Sequence, residues 1–297
     1  MILALTGGTG FVGGHVIRRA VAAGHQVRAL ARRAQPPRDG VTWIGGALDD
    51  SGALAALTGR ADAVIHIAGV VNAPDRAGFV AGNVAGTRAI VAASVGRRFV
   101  HVSSLAAREP QLSNYGWSKQ AAEEIVAASG LAWDMVRPPW IYGPGDAEML
   151  DLFRLARRGI AVTPPAGRLS ALHVDDLARL LVTLAQSPAR HAVYEADDGR
   201  PGGWAQRDFA VAIGTAVGRR VRPIALPRAL LGLGARLDRL ARGGSARLTA
   251  DRVAYFCHPD WTVDPARRPP AALWTPRIDT HAGLRETAQD CRAAGLL

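Results

Sequence analysis

Short apolar runs alternate with helical patterns over the first 200 residues of this 297-residue chain. Ile2–Thr6, Gln26–Leu30, Val41–Ile44, Ala63–Ile67, Arg98–Val102 and Trp133–Arg137 read as strands. Several are apolar almost throughout, as in strands covered on both faces. Between them the apolar positions recur at helical spacing near Phe11–Ala22, Ser51–Leu57, Phe79–Val95, Asn114–Ala128 and Ala147–Arg158. Gly24, Gly59, Gly96 and Gly130 stand where those helices should stop. The β-α-β-α order predicts an α/β fold, a Rossmann-type doubly wound parallel sheet with right-handed crossovers.

Beyond about Gly145 the pattern loosens and prolines multiply. Leu172–Asp176 reads as a strand end entering a helix that runs through Leu184. Further helices are expected at about Trp204–Val217 and Leu226–Arg239. These changes divide the chain into a dinucleotide-binding domain over 1–165, to which 170–195 returns, and a smaller substrate-binding lobe over 196–297. Leu226–Arg242 is basic and amphipathic. An ordinary half-buried helix is the preferred reading, and contact with a membrane surface is the alternative.

Composition narrows the field. Nearly half the residues are apolar, enough for a large core. No apolar stretch is long enough to span a membrane, and the N-terminus lacks the features of a signal peptide. Cys257 and Cys291 lie far apart without metal-ligand spacing, so no metal site is expected and a reduced, cytoplasmic setting fits. The net charge is +11, but it is spread as pairs such as Arg32-Arg33 and Arg219-Arg220. Without a basic tract or a nucleic-acid module, a small-molecule enzyme is expected and nucleic acid is not.

Thr6-Gly7-Gly8-Thr9-Gly10-Phe11-Val12-Gly13 links the first strand to the first helix. Glycines at 7, 10 and 13 permit a tight turn, close approach of a pyrophosphate, and close packing of helix on strand. The helix N-terminus offers N–H groups and a positive dipole end to phosphates. Gly7, Thr9, Gly10, Phe11 and Val12 are the candidate cofactor contacts. The second strand ends in Ala31-Arg32-Arg33, where an acid would favour NAD through its ribose hydroxyls. An arginine suits a 2′-phosphate, so Arg32 points to NADP, with NAD as the alternative.

The chemistry centres on an asymmetry among the basic residues. Of 36 Lys+Arg residues, Lys119 alone is lysine. It lies four residues after Tyr115, on the same face of a helix. An ammonium beside a phenol favours the phenolate and brings Tyr115 toward use as a general acid or base. The fifth strand delivers Ser103 and Ser104 at its C-terminal end, where ligands bind in this architecture. Either hydroxyl could hold a substrate oxygen, with Ser104 preferred.

Taken together, the sequence resembles the extended short-chain dehydrogenases/reductases, of the NAD(P)-dependent epimerase/dehydratase group. The resemblance is carried by Thr6–Gly13, Ala63–Gly69, Asn83–Thr87, Val102-Ser103-Ser104, Tyr115–Lys119, Arg137–Gly145 and His173–Asp176, in the expected order. It implies a catalytic triad of Ser104, Tyr115 and Lys119, with Lys119 also holding the nicotinamide ribose and Asn83 supporting a proton relay. It also implies that Ala68 and Gly69 line the cofactor, that Pro138 sits near the nicotinamide, and that the protein forms a homodimer. Two departures stand out: Gly46-Ala47-Leu48 lacks the usual acid near the adenine, and Tyr115 follows only eleven residues after Ser104. The short loop counts against close kinship with nucleotide-sugar epimerases. The reading is an NADP-dependent oxidoreductase that interconverts a ketone and a secondary alcohol by hydride transfer. A nucleotide-sugar epimerase/dehydratase and a non-catalytic dinucleotide-binding sensor or assembly protein are the rivals.

Overall fold

The computed structural model describes residues 1–243 and 249–297. The chain divides into two compact units. One comprises Met1–Pro138, Asp175–Glu195 and Pro269–Trp274; the other comprises Pro139–Val174, Ala196–Arg268 and Thr275–Leu297.

The first unit contains β1 (Ile2–Thr6), α1 (Phe11–Ala22), β2 (Gln26–Ala31), β3 (Val41–Gly45), α2 (Ser51–Thr58) and β4 (Ala63–His66). It continues with α3 (Arg76–Phe79), a π-helical turn over Val80–Ala85, α4 (Gly86–Ala92), β5 (Arg98–Val102), α5 (Asn114–Ala127) and β6 (Ala132–Val136). The chain then builds β7 (Trp140–Tyr142), α6 (Ala147–Arg157), β8 (Ile160–Thr163), β9 (Arg168–Leu169) and β10 (Ala171–His173). Next, α7 (Val174–Gln186) and β11 (Val193–Tyr194) return to the first unit.

Seven strands form one parallel sheet in the order β11-β6-β5-β4-β1-β2-β3. β4 is buried at every position and β5 at all but its first, which explains their nearly unbroken apolar sequence. Leu30, Leu54, Leu57, Val64, Ile90, Phe99 and Met135 share one core cluster. The strand order reverses between β1 and β4. Ligands bind at the carboxyl ends of strands flanking such a switch point.

The expected helix over Phe79–Val95 is broken. Its middle is the π-helical turn, which contains Asn83. The Asn83 amide Nδ2 donates to Val70 O and Ser118 Oγ, and Val70 N donates to Asn83 Oδ1. The extra residue per turn is tolerated where these contacts fix the side chain.

The second unit adds β12 (Trp204–Ala205), α8 (Gln206–Ala216), β13 (Arg222–Ala225), α9 (Arg228–Arg242), α10 (Ala250–Phe256), β14 (Asp260–Trp261) and α11 (Thr280–Ala293). Its short strands pair as β10-β7, β12-β9-β14 and β13-β8. Helix α8 begins at Gln206 rather than Trp204, because Trp204 pairs with Leu169 in the sheet and its indole N–H donates to Asp198. Helix α9 begins two residues later than expected, after Pro227 at its N-cap. Nor is it half-buried on its apolar side: Leu230, Leu233, Leu237 and Leu240 are all exposed.

Candidate active site

The turn after β1 is shaped for close backbone approach. Gly7 has φ +77°, and a Cβ there would lie 2.7 Å from Ala68 N. A Cβ on Gly13 would lie 2.0 Å from Gly7 O. Only hydrogen fits at either position. Gly10 caps α1 with no side-chain hydrogen bond, leaving first-turn N–H groups for an anion. Thr9 and Gly10 are exposed, and Phe11 and Val12 are half-buried. At the end of β4, Ala68 N donates to Thr6 Oγ1 and Gly69 is exposed. Arg32 is exposed just past the end of β2, on the same side of the sheet. These features fit a dinucleotide pyrophosphate at the switch point.

Helix α5 starts where Ser113 Oγ accepts from Gly116 N at 3.0 Å. A Cβ on Gly116 would lie only 2.6 Å from Ala106 O. That gap packs the 3₁₀ turn Leu105–Arg108 against the first turn of α5. The serine turn and Tyr115 are thereby brought onto one packed structure. Ser104 Oγ accepts from Ala106 N at 3.2 Å, which leaves the hydroxyl proton for donation. Ser103 Oγ, in contrast, is buried without a hydrogen-bond partner among the described residues. Tyr115 is half-buried, its ring 6.2 Å from that of Phe79.

Lys119 is only 6% exposed, and its Nζ donates to Val102 O at 2.7 Å. Burial lowers its pKa from 10.5 to about 8, with Glu123 pulling the other way. Glu123 is committed elsewhere: Arg137 donates to it through Nε at 2.8 Å and Nη2 at 2.6 Å. Arg137 and Arg108 also pair with the buried Glu195, at 3.5 and 3.2 Å. The sequence reading missed this network. Glu123 lies four residues after Lys119 on the same helix face, a spacing that could have flagged it. Asn83, implied by the resemblance as a relay residue, connects to the backbone of α5 through Ser118: it donates to Ser118 Oγ, which donates to Tyr115 O at 2.7 Å.

Two histidines lie near Lys119. His66 bridges Thr6 Oγ1 and Thr87 Oγ1, at 2.6 and 3.1 Å, and stacks on His101 at 5.3 Å. Burial, and secondarily the charge of Lys119, pushes His66 down to about 3 and His101 well below its ordinary value. Both are neutral at physiological pH, so Lys119 carries the positive charge of this group. Pro138 ends the segment after β6, and its carbonyl accepts from Leu105 N at 3.0 Å.

The model of the NAD dependent epimerase/dehydratase family matches residues 3–196. The chain belongs to that family. It is 36% identical to the ceramide reductase of Caulobacter vibrioides, over 100% of this chain and 96% of the relative. It is 30% identical to the 2-alkyl-3-oxoalkanoate reductase of Stenotrophomonas maltophilia, over 96% and 98%. The UDP-glucose 4-epimerase of Thermus thermophilus, solved with NAD, superposes with a TM-score of 0.74 at 20% identity over 99% of this chain and 100% of the other. At that identity the likeness is one of fold. The enzyme is an NAD(P)-dependent oxidoreductase of the extended short-chain dehydrogenase/reductase type.

Proposed function

We propose that the enzyme uses NADPH to reduce a ketone on a lipid-like substrate, a polar 3-oxo head attached to long apolar chains. The buried Lys119 ammonium, one helical turn from Tyr115 and held by Val102 O, carries the chemical part of this reading. The substrate class rests on the relatives, whose names specify a ceramide and an alkyl-substituted 3-oxoalkanoate. A further relative from Stigmatella aurantiaca is named as the ketoreductase of a farnesyl-bearing quinoline oxide, 29% identical over 66% of this chain.

Gly7, Thr9, Gly10, Phe11 and Val12 would hold the pyrophosphate, Ala68 and Gly69 the adjoining cofactor, and Pro138 the nicotinamide side. Arg32 would pair with the 2′-phosphate. The dinucleotide held there would supply the hydride for the carbonyl carbon. Tyr115 gives its phenolic proton to the carbonyl oxygen as negative charge develops there, and Ser104 donates a hydrogen bond to the same oxygen. The ammonium of Lys119 would favour the phenolate form of Tyr115 over the phenol and would hold the ribose hydroxyls.

A cofactor-oxidation assay tests this. Long-chain 3-oxo substrates should turn over with kcat/KM at least tenfold higher for NADPH than for NADH. Tyr115→Phe should lose about 10²- to 10⁴-fold in kcat while retaining NADPH binding. Comparing Ser104→Ala with Ser103→Ala assigns the serine, the larger loss being expected at Ser104. Full activity in Tyr115→Phe, or turnover of nucleotide sugars in preference to ketones, overturns the proposal.

A further inference from the structure

Helix α9 turns its apolar face outward. Leu230, Leu233, Leu237 and Leu240 recur at intervals of three, four and three residues, within an arc of about 80°. They are between 52% and 82% exposed. The buried residue of α9 is Ala235, on the opposite side of the helix. A stripe of four exposed leucines is not explained by packing within this unit, and exposed apolar patches of this kind mark interaction surfaces. The charges on the helix indicate what it meets. Arg228, Arg236, Arg239 and Arg242 are all exposed, against a single acid, Asp238, which pairs with Arg242 at 3.3 Å. Arg236 directly borders the leucine stripe, whereas Arg228, Arg239 and Arg242 lie on the polar side of the helix, toward Ala235. Shortly before α9, β13 adds exposed Ile224 beside exposed Val162 of β8.

We propose that α9 docks this enzyme on an anionic lipid bilayer, its leucines entering the headgroup boundary, Arg236 meeting lipid phosphates and the remaining arginines of the polar face adding long-range attraction to the anionic surface. Basic amphipathic helices lie in membrane interfaces in this way. Self-pairing is disfavoured. The leucine spacing suits a coiled coil, but it lasts for two heptads, and the flanking positions 234, 236 and 241 offer glycine, arginine and alanine with no acid to pair across the seam. The inference extends the proposed function, since an enzyme whose substrate lies in a bilayer works at that surface. It would place this chain among monotopic rather than spanning proteins; among the described residues no helix is long and apolar enough to cross a membrane.

Co-sedimentation with vesicles tests the docking separately from the chemistry. The full-length enzyme should bind phosphatidylcholine vesicles containing phosphatidylglycerol, and should bind pure phosphatidylcholine at least tenfold more weakly. Leu233→Ser with Leu237→Ser should reduce binding at least tenfold. Arg236→Gln should reduce it by about fivefold at low salt, and Arg239→Gln, on the far side of the helix, by less. Turnover of a water-soluble, short-chain 3-oxo substrate without vesicles should be unchanged in all these variants, which shows that they are folded. Vesicle binding with no ketone turnover would refute the proposed function and leave the docking standing. Wild-type binding that is absent, or unaffected by the leucine substitutions, overturns the docking. So does a concentration-dependent dimer that the same substitutions dissociate.

Discussion

Lys119 should be retained for catalysis at the expense of stability. Burial lowers its pKa from 10.5 to about 8, against the opposing pull of Glu123. A displacement of that size corresponds to roughly 3 kcal/mol favouring the neutral amine over the ammonium in the folded protein. Lys119→Met keeps the length of the side chain and removes the charge. It also leaves Val102 O without its 2.7 Å donor, a loss of about 1–2 kcal/mol. The cofactor-free variant should therefore be more stable at pH 7 by about 1–2 kcal/mol, seen as a melting point higher by about 2–4 °C. Its kcat/KM should fall by at least 10²-fold. The pH dependence gives a second signature. Below pH 8 the lysine is protonated in both folded and unfolded wild type, and the full penalty is present. Between pH 8 and 10.5 the unfolded chain holds the proton that the folded protein has released, so wild-type stability gains with rising pH. Urea unfolding of both proteins at pH 7 and pH 9.5 should show the variant's advantage shrinking. A variant less stable than wild type at pH 7, or an advantage that does not change with pH, would refute the reasoning.

Three further outcomes follow from the geometry. Arg32→Ala should weaken NADPH binding about 10- to 100-fold, the worth of a charged hydrogen-bonded contact to phosphate, and leave NADH within twofold; equal effects on the two cofactors in a fluorescence titration would remove Arg32 from the 2′-phosphate site. Gly13→Ala places a carbon 2.0 Å from Gly7 O, so thermal unfolding should report a loss of at least ~2 kcal/mol, with NADPH affinity reduced tenfold or more; a variant with wild-type affinity contradicts the cradle. His101 buries both ring nitrogens without a partner among the described residues, so His101→Leu should be neutral or stabilising by about 1–3 kcal/mol with kcat unchanged; a clear drop in either quantity would show that the imidazole makes a contact of its own.

What the sequence disclosed depends on how local the determining physics is. β5 was legible to the residue, because a strand covered on both faces is apolar at most of its covered positions, His101 being the exception. The turn from Thr6 to Gly13 was legible because a steric requirement at Gly7 and Gly13 leaves a compositional mark. The partners of Glu123 were not. Arg137 reaches Glu123 from β6's end, and Glu195 joins them from beyond β11, contacts set by the sheet order rather than by spacing along the chain. The two-residue strands β9, β12 and β14 were hidden for the same reason, each being defined by a distant partner. The π-helical turn keeps a nearly helical apolar spacing, so periodicity read Phe79–Val95 as continuous and could not register the pull of Asn83. Helix α9 is the instructive case. Its amphipathic pattern was plain, and the half-buried reading assumed that the apolar side faces the protein. Periodicity measures the contrast between two faces of a helix; it does not say which one meets the fold. Only the placement of Ala235 inward and the leucines outward decides that, and it makes the leucine stripe a surface in need of a partner.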